Sequence, residues 1–206
     1  VLAQYIPSEL RWERRGETVK VTLLEDAQLA QAARPDSLAY QLSVTCAQPQ
    51  EFTLKIRVPW WVSAAPQIWV NGESQQIAYE PSSYICLKRA WSQDHIRIVF
   101  PKRLSISPLP DKADRIAFMD GPVVLAGVLD RGALQDSNNL LEEKTLYGDR
   151  ADPHSILTPD NEREWTYWTG DYRTHDQPTN IRFVPLHTIR DERFAIYFPV
   201  KNDTSG

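Results

Sequence analysis

QIWVNG (Gln67–Gly72), WSQDHIRIVFP (Trp91–Pro101) and GPVVLAG (Gly121–Gly127) decide the fold of this 206-residue chain. In the first, Ile68 and Val70 alternate up to Asn71-Gly72, a dipeptide suited to the positive φ at both central positions of a type I′ hairpin turn. In the second, Ile96, Ile98 and Phe100 alternate with Arg97 and Val99 until Pro101, which lacks the N–H that a sheet ladder uses. The third carries bulky apolar residues between its glycines, so it reads as a buried strand and not as a phosphate-binding loop. No catalytic constellation lies in any of them.

The same period of two extends outward. Val19, Val21 and Leu23 alternate with polar neighbours, as do Leu38 to Cys46 and Phe52 to Val58. Strands of this kind bury one face and wet the other, as antiparallel sheets do. Pro59, Pro108 and Pro110 are expected to stop strands, and Ser92 to Asp94 to form a polar turn before a strand starting at His95. Glu25 to Ala33 reads equally as one helical turn or as a loop. Asp130 to Arg163 is polar and irregular, and the aromatic run WTYWTGDY (Trp165–Tyr172) follows it. Ile181 to Leu186 and Arg193 to Val200 are the closing strand candidates. The expected fold class is all-β: two antiparallel, jelly-roll-like β-sandwich domains packed together.

Composition narrows the function classes. Hydrophobic residues at 42% supply a core, and a formal charge of -4 argues against nucleic acid or an anionic membrane as partner. The longest apolar runs fall far short of the roughly 20 residues a membrane-spanning helix needs. Val1 stands directly in strand-like sequence without a preceding Met, which suggests a fragment or a processed product. Two cysteines make neither a disulfide framework nor a metal site unaided. Cys46 shares the apolar face of Leu42 and Val44, whereas Cys86 lies opposite Ile85 and Leu87. Both are expected to be buried or half-buried free thiols, a disulfide being the alternative. They leave the compartment open, with the cytoplasm favoured over the periplasm.

Seven blocks in a fixed order carry a resemblance: YIPSEL (Tyr5–Leu10), KIRVPWW (Lys55–Trp61), WVNG (Trp69–Gly72), WSQDHIRIVFP, PLP (Pro108–Pro110), GPVVLAG and VPLHTIRDERFAIYF (Val184–Phe198). Together they resemble the region after the catalytic barrel in bacterial β-L-arabinofuranosidases of glycoside hydrolase family 127. Asp130 to Thr179 matches only loosely. The resemblance implies that an α/α toroid preceding Val1 holds the chemistry: a cysteine nucleophile in a zinc-binding cluster, and a glutamate acid/base. It places no catalytic residue and no zinc ligand in this chain. It implies one sandwich, residues 9–101, inserted into a second built from residues 1–8 and 102–206, with the irregular loop 130–163 inside. Leu2 to Ile6 would then pair beyond Pro101; a plain split near Pro101 is the alternative. Implied partners are the toroid of the same enzyme, a second copy in a homodimer, and an arabinose-containing glycan.

Patterns that could carry chemistry in the chain itself are sparse. Glycosidases set two carboxyls about 5 to 9.5 Å apart; Glu164 and Asp171 flank the aromatic run, but 27 acidic residues make such a neighbourhood expected by chance. His95, His154, His175 and His187 show no HxH or HExxH spacing. Asp152 and His154 share one side of an extended segment, as a polar loop would also allow. No GxSxG elbow is present. The remaining candidates are carbohydrate-stacking aromatics, Trp165, Tyr167 and Trp168 with Asp171, and Trp60-Trp61, because sugar faces stack on indole and phenol rings. Core packing or contact with a neighbouring domain explains the same aromatics.

Overall fold

The computed structural model describes residues 1–26, 36–129, 144–160 and 170–201. They divide into two compact units, Val1–Lys102 and Arg103–Gly206. Each is built on one predominantly antiparallel sheet, in agreement with the expected all-β class.

The first unit holds β1 (Ser8–Arg14), β2 (Glu17–Glu25), β3 (Ser37–Arg57), β4 (Gln67–Val70), β5 (Glu73–Ser74) and β6 (Tyr84–Pro101), in the sheet order β1-β2-β3-β6-β4-β5. Two predicted strands, Leu38–Cys46 and Phe52–Val58, belong to the single long strand β3 and its continuation. A register shift between Thr45 and Gln50 breaks its pairing with β6: Thr45 faces Gln93 and Gln50 faces Trp91. Four residues of β3 thus oppose Ser92 alone. Four is even, so β3 keeps one inward face through Tyr40, Leu42, Val44, Leu54 and Ile56. One is odd, so β6 switches from Ile85 and Trp91 to Ile96, Ile98 and Phe100. Ser92–Asp94 is therefore an irregularity within a continuous strand, not the expected turn between two.

The two halves of β3 share one core, which includes Leu42, Val44, Leu54 and Ile56. Tyr5 links the halves. Its ring lies 4.7 Å from that of Tyr40 and 5.0 Å from that of Phe100, and its hydroxyl donates to the Arg57 carbonyl. Burial, with Tyr40 nearby, pushes the Tyr5 phenol well above its ordinary value, so it remains a neutral donor. Leu2 N–H donates to the Lys55 carbonyl at 2.7 Å and Leu2 bridges Ile56 in parallel. The opening residues thus pair within this unit, where the expectation had Leu2 pairing beyond Pro101.

The second unit holds β7 (Leu104–Leu109), β8 (Lys112–Asp120), β9 (Val123–Leu129), β10 (Leu146–Tyr147), β11 (Leu157–Pro159), β12 (Tyr172–Thr174), β13 (Arg182–Pro185), β14 (Arg193–Ala195) and β15 (Phe198–Lys201). Their order is β10-β15-β8-β9-β13-β12-β11, with β7 also on β8 and β14 also on β9. Phe183 sits 5.3 Å from Phe118 and 5.1 Å from Phe198, ring centre to ring centre. The absent side chain of Gly127 makes room for them: a Cβ there would lie 2.9 Å from one Phe198 ring carbon and 3.1 Å from Phe183. Arg193 to Val200, expected as one strand, is two short ones separated at Ile196–Tyr197. Pro108, expected to stop a strand, lies inside β7, whose one partner among the described strands is β8. An edge position lets a proline turn its missing donor away from the ladder.

Candidate functional site

Of the carbohydrate-stacking candidates, Asp171, Trp60 and Trp61 lie among the described residues. Trp165, Tyr167, Trp168 and Glu164 lie outside the described residues. Asp171 stands in the second unit, its carboxylate 3.9 Å from the Arg182 guanidinium. Trp60 and Trp61 stand in the first and divide their roles. Trp61 packs edge-on against Phe100 at 6.0 Å and joins the core, whereas Trp60 is 54% exposed. Adjacent residues after a strand end point apart, so one tryptophan enters the core and one faces solvent.

The polar candidates resolve into local braces. Asp152 accepts the His154 backbone N–H at 2.9 Å and caps a 3₁₀ turn at Pro153–Ser155, so this pair is a turn and not a ligand pair. His175 contacts Asp176 through Nδ1 at 2.7 Å and the His154 carbonyl through Nε2 at 2.9 Å. Asp176, then the carbonyl, raise the His175 pKa, because an imidazolium can donate to both. Cys46 is buried and its thiol points to the Trp91 carbonyl at 3.1 Å; burial raises its pKa. Cys86 is exposed, against the expectation of partial burial, because it lies on the outer face of β6 opposite Ile85. Both thiols are free. Among the described residues no three His, Cys, Asp or Glu side chains gather as a metal site, so they do not fit the zinc cluster of the resembled family.

One concave surface was not anticipated from the sequence. On the outer face of the first sheet, Leu24, Gln41, Arg97 and Trp69 form a cross-strand row from β2 through β3 and β6 to β4. Thr22, Ser43 and His95 form the adjacent row. With Gly72 they line an open trough of about 530 Å³. The Arg97 guanidinium lies over the Trp69 ring at 5.3 Å, and its Nε donates to the Asp26 carboxylate at 2.7 Å. Asp26 is 2% exposed, so a buried charge fixes the cation on the aromatic wall.

The end of the trough is held by the predicted hairpin turn. Asn71 and Gly72 have φ of 52° and 85°. The Asn71 amide donates to Asp94 at 2.8 Å and its oxygen accepts the His95 N–H at 2.8 Å. Asp94, buried, also accepts the Ser92 N–H at 2.8 Å and lies 3.4 Å from Arg89. The carboxylate thereby ties the turn to the irregularity in β6. Only Asn71-Gly72 of this arrangement had a sequence signal; the rows depend on strand order, which no local pattern encodes.

No curated protein matches the chain significantly. Among solved structures it is similar to a GH127 β-L-arabinofuranosidase from Geobacillus stearothermophilus T6, at 19% identity and a TM-score of 0.62, over 96% of this chain and 33% of that one. A second GH127 β-arabinofuranosidase gives 17% identity and a TM-score of 0.59, over 96% and 34%. A further glycoside hydrolase gives 14% and 0.59, over 93% and 34%. These likenesses bear on the fold, and the chain spans about a third of the length of each relative. The family profile described as "Beta-L-arabinofuranosidase, GH127 middle domain" matches residues 1–102, the extent of the first compact unit. The chain belongs to glycoside hydrolase family 127 as a segment of it, with the family's middle domain at residues 1–102.

Proposed function

We propose that this chain is the non-catalytic β region of a β-L-arabinofuranoside-cleaving enzyme and that it supports a catalytic domain of the same enzyme. The match of residues 1–102 to the family's middle domain carries this reading, and coverage of a third of the solved relatives supports it. The polar braces around Asp94, Asp26 and His175 suit a structural role, since each ties one strand or turn to another. Contact with the catalytic domain is the partner this reading requires. A homodimer is a further expectation, read from the same resemblance.

Turnover separates this reading from autonomous hydrolysis. The purified 206-residue chain, offered an aryl β-L-arabinofuranoside, is expected to release no phenol above background, whereas the complete polypeptide encoded by the gene releases it. Hydrolysis by the chain alone, reduced in a Glu164→Gln variant, would contradict the proposal.

A further inference from the structure

We propose that the trough between Leu24 and Trp69 binds a neutral oligosaccharide. It is an open depression in the outer face of the sheet. Three strand spacings separate the flanking residues, roughly 14 Å at about 4.8 Å per spacing. The volume, about 530 Å³, falls within the range of small-molecule sites. Trp69 closes one end of the trough and, with the Arg97 guanidinium laid over its ring at 5.3 Å, offers a planar cation backed by an indole.

Hydrogen-bonding capacity lies unused along the floor. Thr22, Gln41, Ser43 and His95 line the trough, and their side chains make no hydrogen bond to another described residue. They offer hydroxyl, amide and imidazole groups, which both donate and accept, as sugar hydroxyls do. Arg97 commits Nε to Asp26 and keeps its terminal N–H groups for a ligand oxygen. That ion pair also selects the ligand's charge. The trough's guanidinium is already matched by a buried carboxylate, so an anionic sugar gains little there and a neutral one loses nothing. The choice of arabinose as the sugar rests on the function proposed above; the trough does not.

The test is calorimetric titration of the 206-residue chain with a neutral arabinofuranosyl oligosaccharide, a neutral glucan oligosaccharide and an oligogalacturonate. Saturable binding of the arabinose probe is expected. Trp69→Ala should weaken it by about tenfold or more. Gln41→Trp, at an exposed position, should block it, and Tyr79→Ala, at an exposed aromatic outside the trough, should leave it unchanged. Binding of the glucan alone, lost in Gln41→Trp, would keep the trough and overturn the arabinose assignment. No binding of any probe, binding of the oligogalacturonate only, or binding indifferent to both trough variants would overturn the trough and leave the family membership standing. So would radical footprinting showing Leu24 and Trp69 covered by another domain in the complete polypeptide without sugar.

Discussion

Arg97 and Trp69 face each other across β6 and β4, with the guanidinium 5.3 Å from the centre of the indole ring. The Asp26 carboxylate, 2.7 Å from the same guanidinium, makes this more than a surface contact, because Asp26 is buried while Arg97 is partly exposed. A double-mutant cycle with Asp26→Ala and Arg97→Ala should show coupling of about 1 kcal/mol, reduced from a fully buried pair by the solvent around Arg97. Urea unfolding of the four proteins measures it. Additive losses would mean that the pair contributes only geometry.

The Asn71-Gly72 turn should fail at two points. Gly72 has φ of 85° with no atom near an added Cβ, so Gly72→Ala pays for backbone conformation alone, about 1–2 kcal/mol. Asp94→Ala leaves the Asn71 amide and the Ser92 N–H without their acceptor, which should cost about 1–3 kcal/mol. Thermal melts rank the two variants.

Gly127 is set by space and not by backbone angle. Gly127→Ala drives a methyl against Phe198 and Phe183 and should destabilise by about 1–3 kcal/mol. Phe198→Leu in the same chain should recover part of that loss. A cycle without recovery would remove the steric explanation.

His175 should make stability depend on pH. Asp176 raises its folded pKa above the ordinary value of 6.5, so the protonated form is favoured in the folded chain. The contribution is fully present below that value and is lost as pH rises through the raised folded pKa. The melting temperature of the chain minus that of an Asp176→Asn variant should therefore shrink from pH 6 to pH 8, as judged by melts in matched buffers. A difference that grows over this window would reverse the assigned sign.

The cysteines offer a direct check on the strand faces. Cys86 should react with an aromatic disulfide reagent in the native chain, while Cys46, buried and with a raised pKa, should react only after unfolding. Equal native reactivity would place the inward face of β3 wrongly.

These residues also show where sequence stops being informative. Alternation alone puts Leu42, Val44 and Cys46 on one face, and Asn71-Gly72 announces its own turn, because both signals are local. The joining of two apparent strands into β3 was not legible. It depends on four unpaired residues opposite Ser92, a property of the pairing and not of either strand. Pro108 within β7 and the break at Ile196–Tyr197 escaped for the same reason: a residue's cost in a strand depends on which edge is paired. The trough was hidden more deeply. Leu24, Gln41, Trp69 and Arg97 are spread along the first unit and meet only through the order β2-β3-β6-β4. Adjacency in sequence was no guide to a shared role: Trp60 and Trp61 part company between solvent and core.

In the role proposed above, this chain completes an enzyme whose chemistry lies elsewhere in the same polypeptide. Complementation in trans tests it most directly: the remainder of the polypeptide, produced separately, is assayed for aryl β-L-arabinofuranoside hydrolysis and thermal stability with and without the 206-residue chain. The chain is expected to bind the remainder, raise its melting temperature and increase its turnover while remaining inactive alone. A remainder equally active and equally stable without the chain would contradict it.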